Sequence, residues 1–142
     1  MTASLLERVL VPVANEEDTE ATCAAIEPYL DEIGEIVLVH VVEQTPGYMD
    51  HGSPEALAED AQRFLAMARR ELSEDTVVRA EVRYGDDVAA EIADEADEVE
   101  ATAIVFHPRD KGLLAQLVDG DHEGQLIRAG PVPVIALTRS AR

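Results

Sequence analysis

The sequence predicts an α/β fold, a three-layer α/β/α sandwich built on a parallel sheet. Three observations predict it. Short apolar runs alternate with amphipathic stretches along the chain. Several runs are almost continuously apolar, as strands covered on both faces must be. The stretches between them are long enough for helical crossovers, which are right-handed and so place helices on both faces of the sheet. At 142 residues the chain suits one domain, residues 1–142, and no linker, internal repeat or low-complexity segment divides it.

Each element has its own signal. Val9-Leu10-Val11-Pro12-Val13 reads as a strand buried on both faces. Glu17 to Ile33 reads as a helix with a stripe of Ala25, Ile26, Tyr29, Leu30 and Ile33. Pro28 should kink or shorten it, and Gly34 should stop it. Ile36 to Val42 is the clearest central strand. Thr45 to Gly52 is a loop, after which Ser53-Pro54 supplies an N-cap and a Pro at the first helical position. Leu57, Ala61, Phe64, Leu65, Ala68 and Leu72 form the core stripe of that second helix.

Val78, Ala80 and Val82 alternate with Arg79, Glu81 and Arg83, the pattern of a half-exposed edge strand. Gly85-Asp86 turns the chain and caps a helix carrying Val88, Ile92, Ala93, Ala96 and Val99. Ala101 to Phe106 is a buried strand, and a loop with Gly112 and Gly120 follows. Gln125 to Ala129 is a last helical piece, and Val132 to Leu137 a final strand with Pro133 near its start. In such sheets ligands bind beyond the carboxyl ends of the strands, where strand order reverses. The loops after Val13, Val42, Tyr84 and Phe106 are the candidates.

Charge narrows the function classes. There are 30 acidic and 11 basic residues, a formal charge of −19. Such a field repels phosphate backbones and anionic lipid, so neither nucleic acid nor a membrane surface is an expected partner. No apolar run approaches the roughly 18 residues of a membrane span. The start, Met1 to Arg8, lacks the pattern of a signal peptide, which leads to the expectation of a cytoplasmic protein. Lys111 is the one lysine among many spread carboxylates, the surface expected of a protein from a high-salt cytoplasm. At molar salt the Debye length is about 3 Å, so self-repulsion fades while hydrated carboxylates keep the chain soluble.

Taken together, Val9-Leu10-Val11-Pro12-Val13, His40-Val41-Val42, Gly85-Asp86 and Pro131 to Leu137 resemble the universal stress protein family from about Arg8 to Thr138. The resemblance implies a Rossmann-like sheet of the adenine nucleotide alpha hydrolase type, five-stranded, in the order 3-2-1-4-5. It also implies a homodimer paired through the last strand, with Val132, Val134, Ile135 and Leu137 as contacts.

Members of that family that bind ATP carry Gly, two residues, Gly, nine residues, then Gly and Ser or Thr. The pattern maps onto His107, Asp110, Gly120 and Asp121, and Gly120 alone keeps the family residue. Side chains at His107 and Asp110 enter space that phosphate would need, and the Asp121 carboxylate stands where a hydroxyl would donate. Asp119 adds a second charge, and Ala14 stands where binders carry Asp after the first strand. By resemblance the candidate contacts are Pro12, Val13, Ala14, Val41, Phe106, His107, Arg109, Asp110, Lys111, Gly120, Asp121 and His122.

The expected function is therefore a non-catalytic stress-response or regulatory protein acting as a homodimer, without cofactor and without ATP in the family pose. The alternative is a module for ATP with Mg, ADP or a small anion, using Arg109, Lys111 and a divergent loop over residues 107–124. ATP hydrolysis would need a transition-state cation, for which Arg109 and Lys111 are the candidates.

Other chemistry has little to stand on. His40, His51, His107 and His122 form no close ligand pair, so no metal site is expected. Asp119, Asp121 and Glu123 lack the rest of a calcium loop. No Gly-x-Ser-x-Gly elbow exists, and Cys23 on the first helix reads as a core thiol that can form no internal disulfide.

Overall fold

The computed structural model describes residues 5–43, 54–72, 76–107 and 132–137. Its elements are β1 (Arg8–Pro12), α1 (Glu16–Ile26), β2 (Glu35–Glu43), α2 (Pro54–Leu72), β3 (Val77–Gly85), α3 (Val88–Glu98), β4 (Ala103–Phe106) and β5 (Val134–Ala136). The five strands form one sheet in the order β3-β2-β1-β4-β5, and all the pairings are parallel. This is the order that the resemblance implied. The expected helix at residues 125–129 lies outside the described residues, as does Ser53.

Side chains alternate across the sheet and divide the core in two. Val9, Val11, Ile36 and Leu38 pack against Cys23 and Ile26 of α1 and Phe64, Leu65, Ala68 and Leu72 of α2. Leu10, Val37 and Val39 pack on the other face against Ala89, Ile92 and Ala96 of α3. Val9, Leu10, Ile36, Val37, Leu38 and Val39 are all fully buried. Each such side chain contributes about 1.5–3 kcal/mol by leaving water, so β1 and β2 anchor the sheet. The apolar runs are continuous because both faces are covered.

Pro28 acts as expected, but the stripe around it shifts. The α-helix ends at Ile26 and continues as a 3-10 turn, Glu27–Glu32. A 3-10 turn advances about 120° per residue instead of 100°, which carries Tyr29 off the buried face. Tyr29 is 43% exposed, whereas Ile26, Leu30 and Ile33 are buried. Upstream, α1 buries Thr19, Thr22 and Cys23, with Ala25 half-buried.

Strand β3 is an edge, as its alternation predicted. Its two arginines are paired with acids of neighbouring elements. Glu35 of β2 accepts from Arg8 at 3.0 Å and from Arg79 at 3.2 Å. Arg83 donates to Glu91 and Glu95 of α3. The cap of α3 falls one residue later than expected. Asp87, not Asp86, accepts the Ala90 N–H, at 3.1 Å. The last strand is shorter than expected, Val134–Ala136, because Pro133 offers no N–H to extend the ladder on its amino side. No described helix is long and apolar enough to cross a membrane.

Candidate functional site

The reversal of strand order falls at β1, which pairs with β2 on one side and β4 on the other. The two pairings differ in length. β1 and β2 stay in register through Pro12 and Val39, whereas β1 and β4 pair over Val9 with Ala103 and Leu10 with Ile104. Pro12 accounts for the difference. In a parallel ladder successive N–H groups point to opposite neighbours. The Val13 N–H goes to Val39 O of β2 at 2.9 Å, so the N–H missing at Pro12 is one that would face β4. The sheet is therefore left unlaced on the β4 side at the carboxyl end of β1, where this fold class places its crevice.

Two reciprocal bonds close the start of α1 beside that crevice. The Asn15 side chain accepts the Asp18 N–H at 2.7 Å, and Asp18 Oδ2 accepts the Ala14 N–H at 2.8 Å. This is a capping box displaced by one residue. Its consequence is electrostatic. The Ala14 amide, at the positive dipole end that could receive an anion, is already met by a carboxylate of the chain itself. Glu16 and Glu17 add further negative charge in the same turn.

His40 lies on β2, level with Val13 when the register is carried forward. Its Nδ1 is 2.8 Å from Val13 O, and its ring meets Phe64 edge-on with centroids 5.2 Å apart. The carbonyl accepts, so in the neutral ring Nδ1 carries the proton and Nε2 is left as an acceptor. Burial of the ring pushes its pKa below the usual 6.5, against the opposing pull of the Val13 carbonyl and of Asp18. His107 directly follows β4, the strand beside β1. Its Nδ1 is buried and has no hydrogen-bond partner among the described residues.

Of the twelve residues expected to contact a ligand, Pro12, Val13 and Ala14 stand together at the carboxyl end of β1, and His107 directly follows the neighbouring strand β4. Pro12 and Val13 are buried and Ala14 is exposed. Val41 is buried near the end of β2, but on the α3 face of the sheet. The backbone of Phe106 closes β4. Arg109, Asp110, Lys111, Gly120, Asp121 and His122 lie outside the described residues. Sequence reasoning missed Asp18 and the partnership of His40 with Val13. Asp18 was hidden among surface carboxylates, although the spacing Asn15-x-x-Asp18 is itself a capping signal.

A model of the universal stress protein family matches residues 6–138. The chain belongs to that family. Solved structures agree on the fold. The hypothetical protein MJ0577 superposes with a TM-score of 0.68 at 18% identity, over 98% of this chain and 100% of that one. A universal stress protein family member from Burkholderia pseudomallei gives 0.64 at 23%, over 95% and 98%. The universal stress protein of Archaeoglobus fulgidus in complex with dAMP gives 0.56 at 22%, over 94% and 99%. At these identities the likeness is one of fold. Among curated proteins none matches the chain. Among the described residues no cluster of three or more His, Cys, Asp or Glu could hold a metal ion.

Proposed function

We propose that this universal stress protein is a non-catalytic stress-response protein of a high-salt cytoplasm, acting as a homodimer and through protein partners, and that it does not hold ATP in the family manner. The observation that carries this reading is the Asp18 carboxylate on the Ala14 N–H. A triphosphate entering over the carboxyl end of β1 would meet a fixed negative charge and an amide already in use. Asp119 and Asp121 would add to the repulsion, on the sequence alone.

The homodimer is supported by β5. It is the edge of the described sheet, and Val132, Val134, Ile135 and Leu137 are half-buried against both apolar clusters. An apolar edge strand calls for a partner.

The test is a calorimetric titration of ATP-Mg into the protein in molar KCl. No saturable binding is expected. A dissociation constant tighter than about 100 μM, roughly 5.5 kcal/mol, overturns the reading.

One observation favours a second reading, a small-molecule binding module at the same crevice. His107 Nδ1 is buried at the carboxyl end of β4 without a partner among the described residues. Such an atom is costly to bury alone, about 1–3 kcal/mol, and a ligand would satisfy it. The dAMP complex of the Archaeoglobus fulgidus relative supports the same reading.

A further inference from the structure

Strand β3 ends the described sheet opposite β5, and its outer edge is long and regular. All nine of its residues pair with β2 in one unbroken register, from Val77 with Glu35 to Gly85 with Glu43. The strand holds no Pro, Lys or bulge, the usual means of stopping another strand from adding to an edge. Its charged residues alternate in sign, as Arg79, Glu81 and Arg83. These three share the face towards α3, which Arg83 reaches. Val78, Ala80 and Val82 share the other face and pack on the cluster of α1 and α2.

Such a row is complementary to itself. In an antiparallel pair of identical strands, opposed residues stand equally far from the twofold axis. An axis at Glu81 sets Glu81 against itself and Arg79 against Arg83, which repels. An axis at Val82 sets Glu81 against Arg83, but that guanidinium is 19% exposed and already held by Glu91, Glu95 and Glu98. An axis at Ala80 sets Arg79 against Glu81 twice and Val78 against Val82 twice. Arg79 is 48% exposed at its side chain, and Glu81 is exposed with no ion pair among the described residues.

We propose that the outer edge of β3 docks the β3 edge of a second copy, antiparallel about Ala80, with Arg79 of each chain opposite Glu81 of the other. This goes beyond the proposed β5 dimer and does not require it. β3 and β5 stand at opposite ends of the sheet, so chains that pair through both form an open series sharing one continuous sheet. The β3 contact is the weaker, because its ion pairs are exposed whereas β5 presents apolar side chains. It therefore acts at high protein concentration.

The test is sedimentation equilibrium of the full chain in molar KCl, at about 10 μM and about 1 mM. The wild type is expected to be a dimer at the lower concentration and to rise past the dimer without a plateau at the higher. Ile135→Glu, which blocks β5, is expected to give monomer at the lower and dimer, but nothing larger, at the higher. In that background Glu81→Arg and Arg79→Glu, made in separate chains, each set like charges opposite and are expected to weaken the dimer at least tenfold. Mixing the two chains is expected to restore it, since Arg79 then meets Glu81 and each substituted residue meets the other. If Ile135→Glu does not fold, the same two substitutions in the wild type hold the mass at the dimer and their mixture raises it. A wild type that stops at the dimer overturns the proposal and leaves the β5 dimer standing, as does a mixture no more associated than its parts. A wild type that is monomeric at the lower concentration and forms a dimer sensitive to Glu81→Arg at the higher supports the proposal and overturns the β5 dimer.

Discussion

Arg83 on the edge strand β3 donates at 2.7 Å to Glu95 of α3, a carboxylate only 4% exposed. The same guanidinium reaches Glu91 at 2.9 Å and Glu98 at 3.4 Å. One cation thus holds three acids of one helix against the edge of the sheet. Removing the cation leaves Glu95 charged and buried, so Arg83→Ala is expected to cost about 2–4 kcal/mol in urea unfolding. Glu98 is 64% exposed at its side chain, and Glu98→Ala is expected to change stability by less than about 0.5 kcal/mol. Replacing the pair together, Arg83→Met with Glu95→Leu, should recover most of the loss. Equal effects of the Arg83 and Glu98 variants would sink this account.

His40 gives the fold a pH dependence of known sign. Burial lowers its pKa in the folded chain below the ordinary 6.5, so folding favours the neutral ring. The unfolded chain then binds the proton more readily. Stability is therefore complete above about pH 6.5 and falls as pH drops from there through the folded value. His40→Gln keeps a donor near the Val13 carbonyl but cannot titrate. Denaturation midpoints measured from pH 7.5 to 5.5 should fall more steeply in the wild type than in this variant. Parallel curves would show that the ring does not report burial.

Two glycines separate a hard contact from a soft one. A Cβ on Gly34 would lie 2.5 Å from the Glu7 carbonyl oxygen, which is backbone held by the neighbouring Gly34 N–H bond to Leu6 O. A Cβ on Gly85 would lie 2.5 Å from a carboxylate oxygen of Glu91, which can swing away at the expense of its bond to Arg83. Gly34→Ala is expected to cost about 1–3 kcal/mol, and Gly85→Ala less. A thermal melt of both variants decides it, and the reverse order would refute it.

Most of this fold is legible in the residues because coverage of the sheet writes itself into them. Val9 to Val13 and Ile36 to Val39 are apolar without a break since helices lie on both faces. The Val78/Arg79 alternation marks an edge for the converse reason. What sequence pattern missed depends on geometry that pattern does not carry. Tyr29 leaves the core because the helix tightens after Ile26. Glu95 enters it because Arg83 stands across the gap, and periodicity cannot name a partner 12 residues away. At the crevice the strand ends were readable, but a carboxylate turned back onto Ala14 looks, in sequence, like one more acid of an acidic surface.

Cys23 should be chemically silent in the native chain. Its thiol is pushed up to about 12, first by burial and then by Glu71, Glu20 and Glu27. The thiolate is the reactive form, so almost none exists at pH 8. Labelling with a disulfide reagent at pH 8 is expected only on the timescale of unfolding, and at full rate in urea. Rapid labelling of the folded protein would contradict the buried placement.

The proposed dimer and the proposed high-salt origin make one joint prediction. Pairing two copies through β5 doubles a formal charge of −19 per chain within one particle. At 0.1 M salt the Debye length of about 10 Å lets much of that repulsion act across the new interface. At molar salt it falls to about 3 Å, and the apolar contact of Val134, Ile135 and their neighbours is left to decide the equilibrium. Sedimentation velocity should therefore find the dimer favoured in 2 M KCl and weakened in 0.1 M KCl. Ile135→Glu should shift the high-salt species to monomer, since a carboxylate would then be buried at the pairing edge. A dimer indifferent to salt and to Ile135→Glu would place the interface elsewhere on the chain.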